Sequence, residues 1–369
     1  MISRRNLVSA LVCLPLTASV GCSKPEGAGP GPSGSSGGTA PAQAGTVSLV
    51  GAGATFPYPL YSKWISEYNK ANPGVQINYQ SIGSGGGIRQ ISAGTVDFGA
   101  SDAPMTADEV QKAPAKLHHV PTTLGAVVIT YNVPELGAPL KLSADAVSGV
   151  FLGTIKKWND PKIAEGNPGA KLPDKDIAVV YRSDGSGTTA VFTDYLAKVS
   201  TEYKDKVGAG KSVKWPVGLG AKGNEGVTGQ VKTTPFTIGY VELAYAKQNK
   251  LPIAQLRNKA GQFVEPTAQT ITAAAAGVEV GDDLTASLTD PAGEKAYPIS
   301  SFTYLLVYED AKDKTKGQAL AKFLWWALHD GQKHAAELDY APLPDALITK
   351  TEARIRSLRS GNDKLLPGG

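Results

Sequence analysis

From Thr46 onward the chain repeats one local pattern: a short strand-like run closes on a loop of small and hydroxyl residues, and the loop opens a helix-like run. Such alternation restricts the chain to an α/β fold with mostly parallel sheets, whose ligand sites lie where the carboxyl ends of the strands meet the helix starts. Strands are predicted at 47–50, 75–79, 96–99, 126–132, 177–181, 238–243 and 302–308. Helices are predicted at 58–72, 88–93, 189–199, 317–328 and 346–358. In the first helix Leu60, Tyr61, Trp64, Ile65 and Tyr68 share one face, so its aromatic residues read as core.

Four loops carry the polar residues: Gly51 to Pro57, Gly83 to Gly87, Gly99 to Asp102, and Arg182 to Thr189. Three of them lead into helices. The last is the richest, with Arg182 at a strand end and Ser183-Asp184-Gly185-Ser186-Gly187-Thr188-Thr189 running into a helix. Small residues let backbone N–H groups approach a ligand, hydroxyls add donors, and the helix contributes the positive end of its dipole. Arg182 adds a planar fork suited to an oxyanion. Taken alone, this segment reads equally well as a capped helix after a glycine turn.

Several chemistries fail on spacing. Gly51-x-Gly53 opens like a dinucleotide fingerprint, but Phe56 stands where the third glycine belongs. Ser84 and Ser186 sit on glycine turns without a Gly-x-Ser-x-Gly elbow, and no Gly-x-x-x-x-Gly-Lys-Ser/Thr loop occurs. The four histidines are two adjacent, His118 and His119, and two five apart, His329 and His334, neither pair having metal-ligand spacing on a helix. No metal site and no cofactor are therefore expected. Basic residues number 37 and acidic ones 33, interspersed along the chain, so there is no basic stripe for nucleic acid.

Residues 1–22 read as an export signal: Arg4 and Arg5, an apolar run from Leu7 to Val20, then Gly21-Cys22, a lipoprotein-type cleavage site. Cys22 is the expected lipidation site, and the export route, general or twin-arginine, stays open. Cys13 leaves with the signal, so the mature chain is expected to hold no disulfide. Residues 23–45, rich in Gly, Pro, Ser and Ala, read as a flexible tether. Its typical reach is roughly 25 Å. Exported, periplasmic or cell-surface localisation with contact to a membrane through the lipid only is the expectation.

Read in order, the motifs carry a resemblance: Gly-Ala-Gly-Ala-Thr-Phe-Pro at 51–57, Val-Asp-Phe-Gly-Ala-Ser-Asp-Ala-Pro at 96–104, Ile-Lys-Lys-Trp at 155–158, the 182–189 loop, Val-Lys-Trp-Pro-Val-Gly at 213–218, Ile-Gly-Tyr-Val-Glu at 238–242, and Asp-Tyr-Ala-Pro-Leu-Pro-Asp at 339–345. The chain resembles the phosphate-binding proteins of bacterial phosphate-specific ABC transporters, which are type II periplasmic solute-binding proteins. The resemblance implies a two-lobed α/β fold whose hinge the chain crosses twice. It puts 46–125 with 300–369 in lobe I and 126–299 in lobe II. It also implies phosphate contacts from Thr55, Phe56, Ser84, Asp102, Arg182, Ser186, Gly187 and Thr188, with Asp184 supporting, either as partner of Arg182 or as a helix cap. At Gly85, where some relatives carry Ser, little effect on phosphate contact is expected, because Ser84 is retained. A monomer that is not an enzyme, delivering inorganic phosphate to ABC permease and ATPase subunits, is the implied function. A surface-anchored sensor or adhesion protein on the same scaffold is the alternative.

On that reading Asp102 selects the ligand. An ionised carboxylate only accepts hydrogen bonds, so it suits an oxyanion that still carries a proton, as phosphate does and sulfate does not. Arg182 and Asp102 sum to zero charge, so helix N-termini, at about +0.5 each, must offset the ligand.

Overall fold

The computed structural model describes residues 45–134, 136–137 and 139–366. The export signal, Cys22 and nearly all of the expected tether lie outside them. Among the described residues no helix is long and apolar enough to cross a membrane.

The chain runs β1 (Val47–Gly53), α1 (Tyr58–Ala71), β2 (Val75–Ser81), α2 (Ser84–Ser92), β3 (Phe98–Ser101), α3 (Ala107–Gln111) and then β4, a 16-residue strand (Leu117–Asn132). The middle of the chain supplies β5 (Lys141–Leu142), α4 (Ala144–Leu152), α5 (Pro161–Glu165), β6 (Ala178–Arg182), α6 (Gly187–Val199), α7 (Thr201–Lys206), β7 (Leu219–Ala221), α8 (Gly223–Thr233), β8 (Thr237–Glu242) and α9 (Leu243–Gln248). After β9 (Gln255–Arg257), β10 (Phe263–Val264), α10 (Ala268–Ala275) and β11 (Leu288–Thr289) come β12 (Ile299–Tyr308), α11 (Lys314–Leu328), α12 (Lys333–Glu337), α13 (Asp345–Arg356) and a short hairpin of β13 (Arg359–Ser360) and β14 (Asp363–Lys364).

The main sheet has the order β2-β1-β3-β12-β4-β8-β6-β7, with β11 beside β12. Its two ends are parallel, β2-β1-β3 on one side and β8-β6-β7 on the other. The centre is antiparallel: β12 pairs with β3 and β4, and β4 pairs with β8. The expectation of mostly parallel sheets thus holds at the flanks only. The reason is connectivity, because β4 carries the chain from one parallel set to the other and β12 lies on the return path. Each parallel set with its helices builds one lobe of a two-lobed α/β fold.

β4 also corrects the predicted strand at 126–132. Its first half, with His118, His119, Pro121, Thr122 and Thr123, looks polar in sequence yet is buried. These polar groups are paired: Thr122 Oγ1 donates to Thr303 O, Thr123 Oγ1 donates to Ala341 O, and His119 Nε2 accepts from Met105 N. Pro121 has no N–H to give the ladder, and the register against β12 shifts there, between Thr303 and Tyr304.

The predicted helix at 88–93 starts four residues earlier, at Ser84, and its first turn is three glycines. Propensity argues against such a start. Packing overrides it: a Cβ on Gly87 would lie 2.5 Å from Gly53 Cα and 2.6 Å from Ala52 O. Only glycine lets this turn press on the ends of β1 and β3.

Candidate functional site

The eight residues expected to contact phosphate are brought to one buried place at the strand ends. Thr55 and Phe56 sit in the turn between β1 and α1, Ser84 begins α2, and Asp102 follows β3. Arg182 ends β6, while Ser186 caps α6 and Gly187 and Thr188 open it. Thr55, Phe56, Ser84, Asp102, Arg182, Ser186 and Thr188 are each at most 4% exposed. The N–H groups of Phe56, Ser84 and Thr188, each in or just before the first turn of a helix, have no acceptor among the described residues. Such a convergence of helix starts favours an anion.

The two sides of the site touch. Gly187 N donates to Ser84 Oγ at 3.0 Å, and Asp102 N donates to the same oxygen at 3.3 Å. Any side chain on Gly187 would collide with Ser84 Oγ and Asp102 Oδ2. Gly85 N donates to Gly185 O at 2.8 Å.

Arg182 is held as a fork. Its Nε donates to Asp184 Oδ1 at 2.8 Å and its Nη2 to Asp184 Oδ2 at 2.6 Å, while Nη1 donates to Thr188 Oγ1 at 3.3 Å. Gly223 N adds a donor to Asp184 Oδ1 at 2.9 Å. Burial alone would lift the Asp184 pKa, but the Arg182 bonds outweigh it and hold the carboxyl below its ordinary range. Of the two roles open to Asp184, the geometry therefore selects partner of Arg182. The α6 cap is Ser186, whose Oγ accepts from Thr189 N at 2.9 Å.

Asp102 differs in every respect. Among the described residues no cation pairs with it; Thr303 Oγ1 donates to Oδ1 at 2.9 Å, and Ser84 Oγ is 3.5 Å from Oδ2. Ser301 Oγ fixes its backbone through Asp102 O at 3.1 Å. Burial pushes its pKa up to about 7, against the opposing pull of the Thr303 bond and of the Arg182 charge.

Four residues around the site carry no signal as isolated letters. Asn224, fully buried at the start of α8, donates through Nδ2 to Thr55 Oγ1 at 2.7 Å and to Thr188 Oγ1 at 3.2 Å. Tyr245 OH donates to Thr55 O at 2.6 Å, and Tyr340 OH donates to Phe56 O at 2.7 Å. Glu242, fully buried, accepts from Ala244 N on Oε2, which also lies 3.1 Å from Tyr340 OH, while Oε1 has no partner among the described residues. Burial raises its pKa well above the carboxylate range. Glu242 and Tyr340 lie within motifs quoted above for the resemblance; Asn224 and Tyr245 do not. Among the described residues no group of three or more His, Cys, Asp or Glu side chains is arranged to hold a metal.

Comparison with known proteins gives the class first. Residues 39–330 match the family model described as a PBP superfamily domain. The chain is 50% identical over 322 residues to the phosphate-binding protein PstS of Pasteurella multocida, covering 86% of this chain and 93% of that one. It is 47% identical over 314 residues to PstS of Xylella fastidiosa, covering 84% and 85%. A solved structure of a high-affinity periplasmic phosphate-binding protein with bound phosphate superposes with a TM-score of 0.67 at 24% identity, covering 83% of this chain and 93% of that chain. This chain belongs to the PstS family of phosphate-binding proteins.

Proposed function

We infer that the protein binds inorganic phosphate at the site just described and delivers it, outside the cytoplasmic membrane, to the permease of an ABC transporter driven by its ATPase subunits. Family membership supports the ligand and the transport role. The observation that carries the reading is the convergence of three helix starts and Arg182 on one buried place containing a single unpaired carboxylate, Asp102.

In this reading Phe56, Ser84 and Thr188 contribute backbone N–H groups, Thr55, Ser84, Ser186 and Thr188 hydroxyls, and Arg182 the N–H groups that Asp184 and Thr188 leave free, while Gly187, whose N–H is held by Ser84 Oγ, contributes close backbone approach. Asp102 receives the ligand's proton. Residues 46–125 with 300–369 form one lobe and 126–299 the other. Closure on the ligand reports occupancy to the permease, because a ligand touching both lobes stabilises the closed form. The protein acts as a monomeric carrier and not as an enzyme, exported and held at the membrane by a lipid on Cys22.

Titration calorimetry with phosphate, arsenate, phosphite and sulfate tests ligand and site together. At about pH 10, where Asp102 is ionised, tight binding of phosphate and arsenate with sulfate rejected is the expected result; sulfate binding as well as phosphate there would overturn the assignment of Asp102.

A further inference from the structure

A hydroxyl group has one hydrogen to give and two lone pairs to fill. At Thr55 both lone pairs are taken by one residue: Asn224 Nδ2 donates to Oγ1 at 2.7 Å and Asn224 N donates to it at 3.3 Å. At Thr188 the lone pairs are taken by Asn224 Nδ2 at 3.2 Å and Arg182 Nη1 at 3.3 Å. Neither hydroxyl hydrogen has an acceptor among the described residues.

The amide orientation behind this arrangement is fixed by chemistry. Glu242 N, which can only donate, lies 3.0 Å from Asn224 Oδ1. The Nδ2 group must therefore face the two threonines, and its two hydrogens are shared between them.

We propose that Asn224 is a specificity-determining residue that touches no ligand: by filling the lone pairs of Thr55 and Thr188 it forces both hydroxyls to act as donors toward an oxyanion. This deepens the phosphate reading and rests on it. Without Asn224 each threonine is free to rotate and present a lone pair to the ligand, where it would oppose an unprotonated oxygen and reward a protonated one. With Asn224, the only strong acceptor left facing the ligand is Asp102. The site then accommodates a tetrahedral anion with one proton at one defined oxygen and bare oxygens elsewhere. Because Asn224 belongs to α8 and Thr55 to the β1–α1 turn, the same amide also ties together loops from the two ends of the sheet.

The test is a double-mutant cycle on phosphate affinity, measured by calorimetry. Asn224→Asp keeps the acceptor for Glu242 N but removes the Nδ2 donors, and Thr188→Val removes one of the hydroxyls it orients. Each hydroxyl donor lost to an anion is worth about ten- to a hundredfold in affinity. The expected result is that Asn224→Asp weakens binding at least tenfold more in the wild-type background than beside Thr188→Val. Direct repulsion by the new carboxylate is common to both backgrounds and cancels in the cycle. Asn224→Ala repeats the cycle without added charge, and circular dichroism of each ligand-free variant checks that it folds. Equal losses in both backgrounds would overturn the proposal, as would unchanged affinity in Asn224→Ala. Failure of the wild-type protein to bind phosphate would instead overturn the functional reading on which it rests.

Discussion

The two sides of the site handle charge in opposite ways. At the start of α6, Arg182 meets Asp184 through two short bonds, and the pair is close to neutral before any ligand arrives. After β3, Asp102 is buried with only hydroxyl partners, and its pKa is pushed up to about 7. With Asp102 ionised, the three groups sum to one negative charge, although the site is read as binding an anion. The attraction must therefore come from helix dipoles and from N–H and O–H groups, while selection comes from the one acceptor. Arg182 fixes geometry more than it supplies net charge.

The sharpest way to break this contrast is Asp102→Asn. The carboxamide can turn its NH2 toward a bare oxygen at any pH, so at about pH 10, roughly three units above the Asp102 pKa, rejection of sulfate relative to phosphate is expected to fall about a thousandfold. Competition calorimetry reads it directly; selectivity retained in this variant would show that Asp102 does not choose the ligand.

A second break removes the other partner. Arg182→Met leaves the half-closed pocket around Asp184 with an uncompensated carboxylate and is expected to destabilise the ligand-free protein by about 3–5 kcal/mol in denaturant unfolding. Adding Asp184→Asn to Arg182→Met should recover a large part of that loss. If the single variant is as stable as the wild type, the pair is not the self-neutralised unit described.

A smaller effect follows from pH. The neutral form of Asp102 can donate a hydrogen bond and predominates below about pH 7. Sulfate, which needs a donor there, should therefore bind the wild type about tenfold more tightly for each pH unit lowered toward 7, and level off below it. In Asp102→Asn the same titration should be flat. A wild-type sulfate affinity independent of pH would mean that the carboxyl does not change state in this range.

Local pattern made the flanks of the fold legible because β1, β2, β6 and β8 and helices α1, α6, α11 and α13 are short amphipathic or apolar units bounded by glycine and proline. What escaped was tertiary in origin. The first half of β4 looks polar, yet its threonines find partners on β12, α1 and the chain near Ala341 and His118 meets Arg354 of α13, none of them local. The start of α2 reads as a flexible turn, since nothing in three glycines announces the backbone they press against. Asp102 and Arg182 could be picked out as site residues because their chemistry is distinctive at strand ends. Asn224 could not, because an asparagine at a helix start is ordinary until the two hydroxyls it serves are brought to it from positions 55 and 188.

Gly85 and Gly185 meet with little but backbone between them: a Cβ built on either would lie 3.2 Å from the other's Cα. In a moving device this contact is an end stop made of the stiffest material the chain has. Side chains at such a place would let the travel vary with rotamer, and so with temperature or chance. A serine at Gly85 would have to displace its neighbour by a few tenths of an ångström, so the exchange is felt in how far the jaws shut, even if no ligand contact changes. On the closure proposed above, two bare glycines give every molecule the same stroke length, and a receiver that measures shape sees a signal with little jitter.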